Sequence, residues 1–403
     1  MMRIRGKSNF RRKWIFITIG AVVLIAAAAI GAYLYISRPI TTNNQPVATV
    51  SSEPAPVPDD GIVHMSAMGD MLAHDTINAN ARTGDGYDYA RYFANIRPVY
   101  VGSDVVFCNQ EGLSSGEIFG ISGYPSFNAP TKFAADLQSG AGCNVINLAN
   151  NHMGDKGVSA IGATIDVWAG LQPLMISGAN KTAADQESVS FATVKGIKFG
   201  FVSFMDFNNN TNTPAYSINN YHDEALVRRL VTQARSGADV VVVSMHWGTE
   251  DSNIVDMEQY SEANLLSSLG VDVIIGTGPH VLQKTDVISR DDGGKTVVWY
   301  SLGNMLSSQL NIKQLIGGIA GFDILKGSSG KVIVDNLTFT PTYMHYEWTA
   351  QQSAAGDLLA RKNAMIYLLN SAAEPLSRSL FGTTMAEQKQ YVIDTLGPTV
   401  VVQ

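Results

Sequence analysis

From Gly61 onward the chain repeats one local pattern. A short apolar run rich in β-branched residues ends in a polar loop containing Gly or Asn, and an amphipathic stretch follows. The runs cover residues 62–68, 105–108, 145–148, 199–205, 240–245, 271–275 and 297–300. Several are continuously apolar rather than alternating, as expected of strands buried on both faces of a sheet flanked by helices. Residues 223–236 and 257–269 have the spacing of amphipathic helices. The pattern predicts an α/β protein and leaves no room for an all-helical or all-β one. After Asn304 it changes to a hairpin, 317–325 and 331–340, around a GSSG turn at 327–330. The folded domain is expected over 61–345, followed by a helical C-terminal extension over 346–403 with 385–396 as its second helix.

The N-terminal part is of another kind. Residues 14–36 are uncharged and mostly apolar, a length of roughly 34 Å as a helix against a bilayer core of about 30 Å. Residues 1–13 hold Arg3, Arg5, Lys7, Arg11, Arg12 and Lys13. The positive-inside rule therefore keeps this basic N-terminus in the cytoplasm and sends the C-terminal domain outside, as a single-pass protein of the cell membrane. A cleaved signal peptide is the competing reading, but its apolar core spans only about 7–15 residues. Residues 37–60, rich in Pro, Ser and Thr, read as a tether. Residues 41–403 keep 21 basic against 35 acidic residues, a net charge of about −14. Phosphate binding needs basic surface, so nucleic acid is excluded as a partner and the lipid bilayer expected as one. Cys108 and Cys143 are too few for a disulfide framework and read as buried free thiols, with one disulfide as the alternative outside the cytosol.

Ligands of open α/β sheets collect beyond the carboxyl ends of the strands. Those positions read Gly69-Asp70 with His74, Asn109-Gln110-Glu111-Gly112, Asn150-Asn151-His152, His246-Trp247-Gly248-Thr249-Glu250 and Gly278-Pro279-His280. Four of the seven histidines fall there, beside carboxylates and carboxamides. Imidazole nitrogen with carboxylate and carboxamide oxygen suits a divalent metal such as Zn, Mn or Fe, and the lack of Cys ligands favours hydrolytic over structural use. Singly, each residue has a plainer role. Asp70 and Asp155 are good helix caps, Asn150 and Asn151 good turn residues, and Trp247 and Glu250 can be a packing contact and a rim charge. His64, His222 and His345 are expected to pack or to be solvated.

The ordered segments GDMLAHD, NQEG, NLANNHMGDKG, MHWGTE, GTGPHVLQ and YSLGN resemble the CapA/PgsA family of poly-γ-glutamate capsule biosynthesis proteins over residues 66–306. The resemblance implies a calcineurin-like metallophosphoesterase fold, two central β-sheets flanked by helices around a divalent metal centre (Mn, Zn, Fe or Mg). By that resemblance Asp70, Glu111, Asn151, His246 and His280 are metal ligands. His74 would offer a further imidazole, though not at the phosphoesterase spacing, and His152 would protonate a leaving group. Asn109, Asn150, Trp247, Glu250 and Asn304, on the same loops, are the expected substrate contacts. Gly278 departs from the family's usual His-Pro-His, which leaves one of two metal positions short of an imidazole. The resemblance further implies a role in capsule or polyglutamate biosynthesis or export, with synthase or export subunits and an anionic polymer as partners. A stand-alone envelope phosphoesterase and a non-catalytic polymer-binding subunit are the alternatives.

Overall fold

The computed structural model describes residues 61–327 and 330–403. The basic segment 1–13, the apolar span 14–36 and the tether 37–60 lie outside the described residues. Among the described residues no helix is long and apolar enough to cross a membrane.

In chain order the strands that matter are β1 (Ile62–Leu72), β2 (Val105–Glu111), β3 (Val145–Asn147), β4 (Met175–Ser177), β5 (Ser190–Val194), β6 (Ile197–Met205), β7 (Val240–His246), β8 (Val273–Thr277), β9 (Thr285–Ser289), β10 (Lys295–Trp299), β11 (Asn304–Leu306), β12 (Ile316–Lys326), β13 (Val332–Glu347), β14 (Lys362–Leu368) and β15 (Val401–Val402). The helices used below are α1 (Asp75–Ala81), α2 (Thr131–Ala141), α3 (Val158–Leu171), α4 (Glu224–Gly237), α5 (Met257–Ser268) and α6 (Met385–Leu396). Of the two large sheets, one runs β14-β13-β12-β1-β2-β3-β4, with β11 also on β1 and β15 on β13, and the other runs β9-β10-β8-β7-β6-β5; residues 82–83 and 86–87 form a separate two-stranded ribbon. β1 to β4 are parallel to one another, and so are β6, β7, β8 and β10.

The four consecutive valines of β7 show why a continuous apolar run is needed. Val240 and Val242 join the core between the sheets, while Val241 and Val243 face the outer core with Leu226, Leu230 and Leu266 of α4 and α5. Two faces are buried at once, and each fully buried aliphatic side chain contributes roughly 1.5–3 kcal/mol. Phe107 of β2 meets Phe201 of β6 edge-on across the inter-sheet core, with ring centroids 6.0 Å apart. α4 begins where the sequence suggests, with the Asp223 carboxylate accepting the Leu226 N–H at 3.0 Å.

Three expectations are corrected. Cys108 and Cys143 are not free thiols but a disulfide, their Cα atoms 5.7 Å apart, because the chain after α2 returns beside β2. The segment 346–403 is only partly helical. β14 lies within it and pairs antiparallel with β13, burying Ala364 and Ile366 in the alternation of a strand. Asp155 caps no helix: α3 has Gly157 at its N-cap, with no side-chain cap, and the Asp155 carboxylate instead accepts the Phe127 N–H at 2.7 Å.

Candidate metal centre

The carboxyl ends of the parallel strands in both sheets meet at one edge, and the site is assembled there. β1 brings Asp70 into register with Asn109 of β2 and Asn304 of β11. The register shifts at Gly69, where a Cβ would stand 1.8 Å from the Gly303 carbonyl oxygen. Only glycine permits that approach, and the irregularity turns Asp70 toward the cluster. β2 ends in Glu111, β7 in His246, and the turns after β3 and β8 supply Asn151, His152 and His280.

Asp70, Glu111 and His246 each offer a ligand atom, all within 4.8 Å of one another. His280 closes the group. Its Nδ1 lies 3.2 Å from Asp70 Oδ2 and 3.1 Å from Asn304 Oδ1, and its Nε2 is 3.7 Å from Glu111 Oε1. His246 Nε2 stands 3.9 Å from the same Glu111 oxygen and 3.0 Å from Asn151 Oδ1. The other His246 nitrogen meets Thr277 Oγ1 at 3.1 Å. His280 holds φ at +60°, a conformation rare for residues other than glycine and often kept at functional sites.

Glu111 tests whether a metal fits. It is buried, and neither carboxylate oxygen meets a hydrogen-bond donor. A buried carboxylate in that position is costly unless a cation shares it. Burial pushes its carboxyl well above the usual carboxylate range, against the opposing charge of His280. For Asp70, burial is outweighed by the hydrogen bond and charge of His280, with His246 and Asn109 helping, so its pKa is lowered. Burial drives His246 down to about 3, so this imidazole is neutral. His280 goes the other way: burial disfavours its charge, but Glu111 and then Asp70 push it up to about 10. Two carboxylates, two imidazoles and the Asn151 carboxamide are a donor set that a borderline divalent ion fits.

Beside this group, His152 is buried and held. Its Nδ1 lies 2.8 Å from Asp155 Oδ2 and 3.2 Å from Asn209 Nδ2, and its ring packs edge-on against Phe127 at 4.5 Å. A carboxylate that orients an imidazole is the arrangement a proton-transferring histidine needs. His74 packs edge-on against the same Phe127 ring, with ring centroids 5.1 Å apart. It precedes α1, and its Nδ1 accepts the Ser308 N–H at 3.4 Å. Burial, with the nearby positive charges of His280 and Arg361, pushes it down to about 3.

Four of the five residues expected to touch substrate are buried and hydrogen-bonded within the protein. Asn109 donates to Asp70 Oδ1 at 2.7 Å and accepts from Asn147. Asn150 ties down the end of β2 through Gly112 N–H and Gln110 O. Trp247 is buried against Tyr300 and donates its indole N–H to that residue's carbonyl at 2.8 Å. Asn304 orients His280 and donates to the Gln314 carbonyl. Glu250 alone is exposed. Gly278, where the resemblance implies an imidazole, has φ +106° and gives its N–H to both Asp70 oxygens, at 3.3 and 3.2 Å. Asp155, Asn209 and Thr277 were not among the expected site residues. Asp155 lies in the segment NHMGDKG, three residues beyond His152, and a proton-transfer role for that histidine was the signal that should have suggested a carboxylate partner.

The structure defines a two-sheet α/β protein with a buried carboxylate–imidazole cluster at the shared carboxyl edge of its strands. Residues 64–309 match the family model described as "Bacterial capsule synthesis protein PGA_cap", and the chain belongs to that family. It is 31% identical over 207 residues to the PGA biosynthesis protein CapA of Bacillus subtilis (strain 168), covering 50% of this chain and 51% of that one. It is also 31% identical over 175 residues to the capsule biosynthesis protein CapA of Bacillus anthracis, covering 42% and 41%. The chain thus spans about half the length of the curated relatives it matches. Among solved structures it is similar to the NAD nucleotidase NadN of Haemophilus influenzae, at 12% identity and a TM-score of 0.41, covering 74% of this chain and 62% of that one. That likeness is too distant to transfer topology or chemistry.

Proposed function

We propose that this protein is a membrane-anchored, extracytoplasmic component of capsule or poly-γ-glutamate biosynthesis or export, whose buried cluster holds a divalent metal and hydrolyses a phosphoester or a γ-glutamyl amide in a metallophosphoesterase-like manner. The observation that carries the hydrolase reading is Glu111, a buried carboxylate without a donor, facing one imidazole nitrogen each from His246 and His280. Asp70, Glu111, His246 and His280, with the Asn151 oxygen, would hold the ion. An ion in such a place supplies Lewis-acid polarisation of the scissile bond and neutralises developing charge.

The protein's own groups do the rest. Asp70 is kept ionised by His280, Asn109 and the Gly278 N–H. Thr277 and Asn151 orient His246. Asp155 holds His152 at Nδ1, which leaves Nε2 to pass a proton to the leaving group. The family supports the process, and the apolar span 14–36 after a basic segment supports the anchor. The Cys108–Cys143 disulfide supports an oxidising compartment. Gly278 favours a second reading, in which the cluster binds an anionic polymer for a synthase or export assembly without turning it over, because one imidazole of a two-metal set is missing.

The test is a His152→Gln variant in cells that make the polymer, with the purified protein assayed on a generic phosphoester and on polyglutamate. Loss of turnover and of normal polymer output, with metal retained, supports hydrolysis. Normal output with stable protein overturns hydrolysis and leaves binding or assembly.

A further inference from the structure

Outside the cluster the molecule carries a second set of metal-type donors. His222, Glu258 and Glu262 bring one ligand atom each to within 4.8 Å of one another. Glu258 and Glu262 are one turn apart on α5, so their carboxylates leave the helix on the same face. His222 comes from the loop before α4, with its Nδ1 3.8 Å from Glu258 Oε1. The informative member is Glu262. It is only 3% exposed, and its carboxylate oxygens meet no N–H or hydroxyl donor, only the neighbouring Asp206 carboxyl. Asp206, just beyond β6, lies beside it. Its Oδ2 accepts the Gly248 N–H at 3.1 Å, while its buried Oδ1 has no hydrogen-bond partner. Burial first, and then the neighbouring Asp206, Glu258 and Asp256, pushes Glu262 up to about 9. A surface salt-bridge network would not bury two carboxyl groups against each other, an arrangement that needs a cation or a shared proton between them.

We infer that His222, Glu258 and Glu262, with Asp206, form a second divalent-cation site, separate from the cluster at the strand ends. An imidazole with carboxylates favours Zn²⁺ or Mn²⁺ over Ca²⁺ or Mg²⁺. The ion would staple the loop between β6 and α4 to the first turns of α5. That loop also carries Asn209, whose N–H donates to the Asn151 carbonyl at 3.0 Å and whose amide meets His152. Asp206 in turn holds Gly248, two residues after His246. The site therefore braces the turn that carries Asn151 and His152 and the loop that follows His246, and it does not depend on the strand-end cluster being hydrolytic.

The full chain, stripped by chelation, is titrated with Mn²⁺ alone or Zn²⁺ alone and bound ions are counted. His222 and Glu258 are 57% and 62% exposed, so His222→Ala and Glu258→Gln leave the packing intact. Each is expected to remove one equivalent, or to weaken that class of site at least tenfold. Glu262→Gln should do the same. Glu111→Gln should empty the strand-end cluster and leave this class untouched, so that failure at one site is distinguishable from failure at the other. Ion number and affinity unchanged in both His222→Ala and Glu262→Gln, in wild-type and Glu111→Gln backgrounds, would overturn the inference. Asp206 and Glu262 would then be a carboxyl pair sharing a proton.

Discussion

Replacing Glu111 by Gln tests the metal centre most sharply, because its effect on stability should change sign with metal. In the metal-free protein the substitution removes a buried carboxylate that has no hydrogen-bond donor. An unsatisfied buried polar group costs about 1–3 kcal/mol, more when charged. The metal-free variant should therefore be at least as stable as wild type. With metal at 100 times its Kd, wild type gains about 2.7 kcal/mol. At about 2 °C per kcal/mol for a body of this size, that is a rise in Tm of about 5 °C, which the variant should lack. The pH dependence has a definite sign as well. Burial holds the Glu111 carboxyl well above its ordinary 4.5, and against burial Glu111 and Asp70 lift His280 from 6.5 to about 10. Both groups bind more protons folded than unfolded. Metal-free stability should thus fall as pH rises, above about 4.5 through Glu111 and between about 6.5 and 10 through His280. Glu111→Gln removes the first part and shrinks the second, because Glu111 is the largest charge that raises His280. Metal must displace these protons, so its affinity should rise with pH. Thermal melts with chelator and with Mn²⁺ across pH 5–9 measure all of this, and an equal metal-dependent rise in Tm for wild type and variant would refute the reasoning.

Gly278→His should not restore a second metal position. At φ +106° a Cβ would lie 3.1 Å from both the Trp247 nitrogen and its carbonyl oxygen, so a loss of about 1–3 kcal/mol in a denaturant melt is expected, without added metal. Asp155→Asn should keep the metal and lower turnover, within the roughly 10²–10⁴-fold that a positioned proton donor contributes; unchanged turnover would free His152 of that role. Protease added to intact spheroplasts should digest residues 61–403 and spare an N-terminal remnant, whereas protection of the whole chain would refute the outward topology.

Much of this molecule was legible in one dimension because strands buried on both faces must be apolar throughout. The runs at β1, β2, β6, β7 and β8 announce themselves, and the polar residues that end them mark the site edge. Shorter edge elements were not legible. β4, β5 and β9 are brief and half-buried, and β14 alternates weakly inside a segment whose composition reads as helical. Their identity comes from the neighbours they pair with, which local propensity does not contain.

For the candidate centre, the residue types and their order were available from the chain, since a donor set is a matter of composition at strand ends. What each residue does was decided in three dimensions. Asn109, Asn150, Trp247 and Asn304 sit among the motif residues, yet the packing of two sheets turns them into struts for Asp70, β2, the outer core and His280. Asp155 became the partner of His152, Cys108 met Cys143, and Glu262 was buried without a donor beside His222. Each outcome depends on which distant segment arrives next to a side chain. A sequence records the chemistry of a group, while its burial and its partners are properties of the packed sheets, and those set both its charge state and its role.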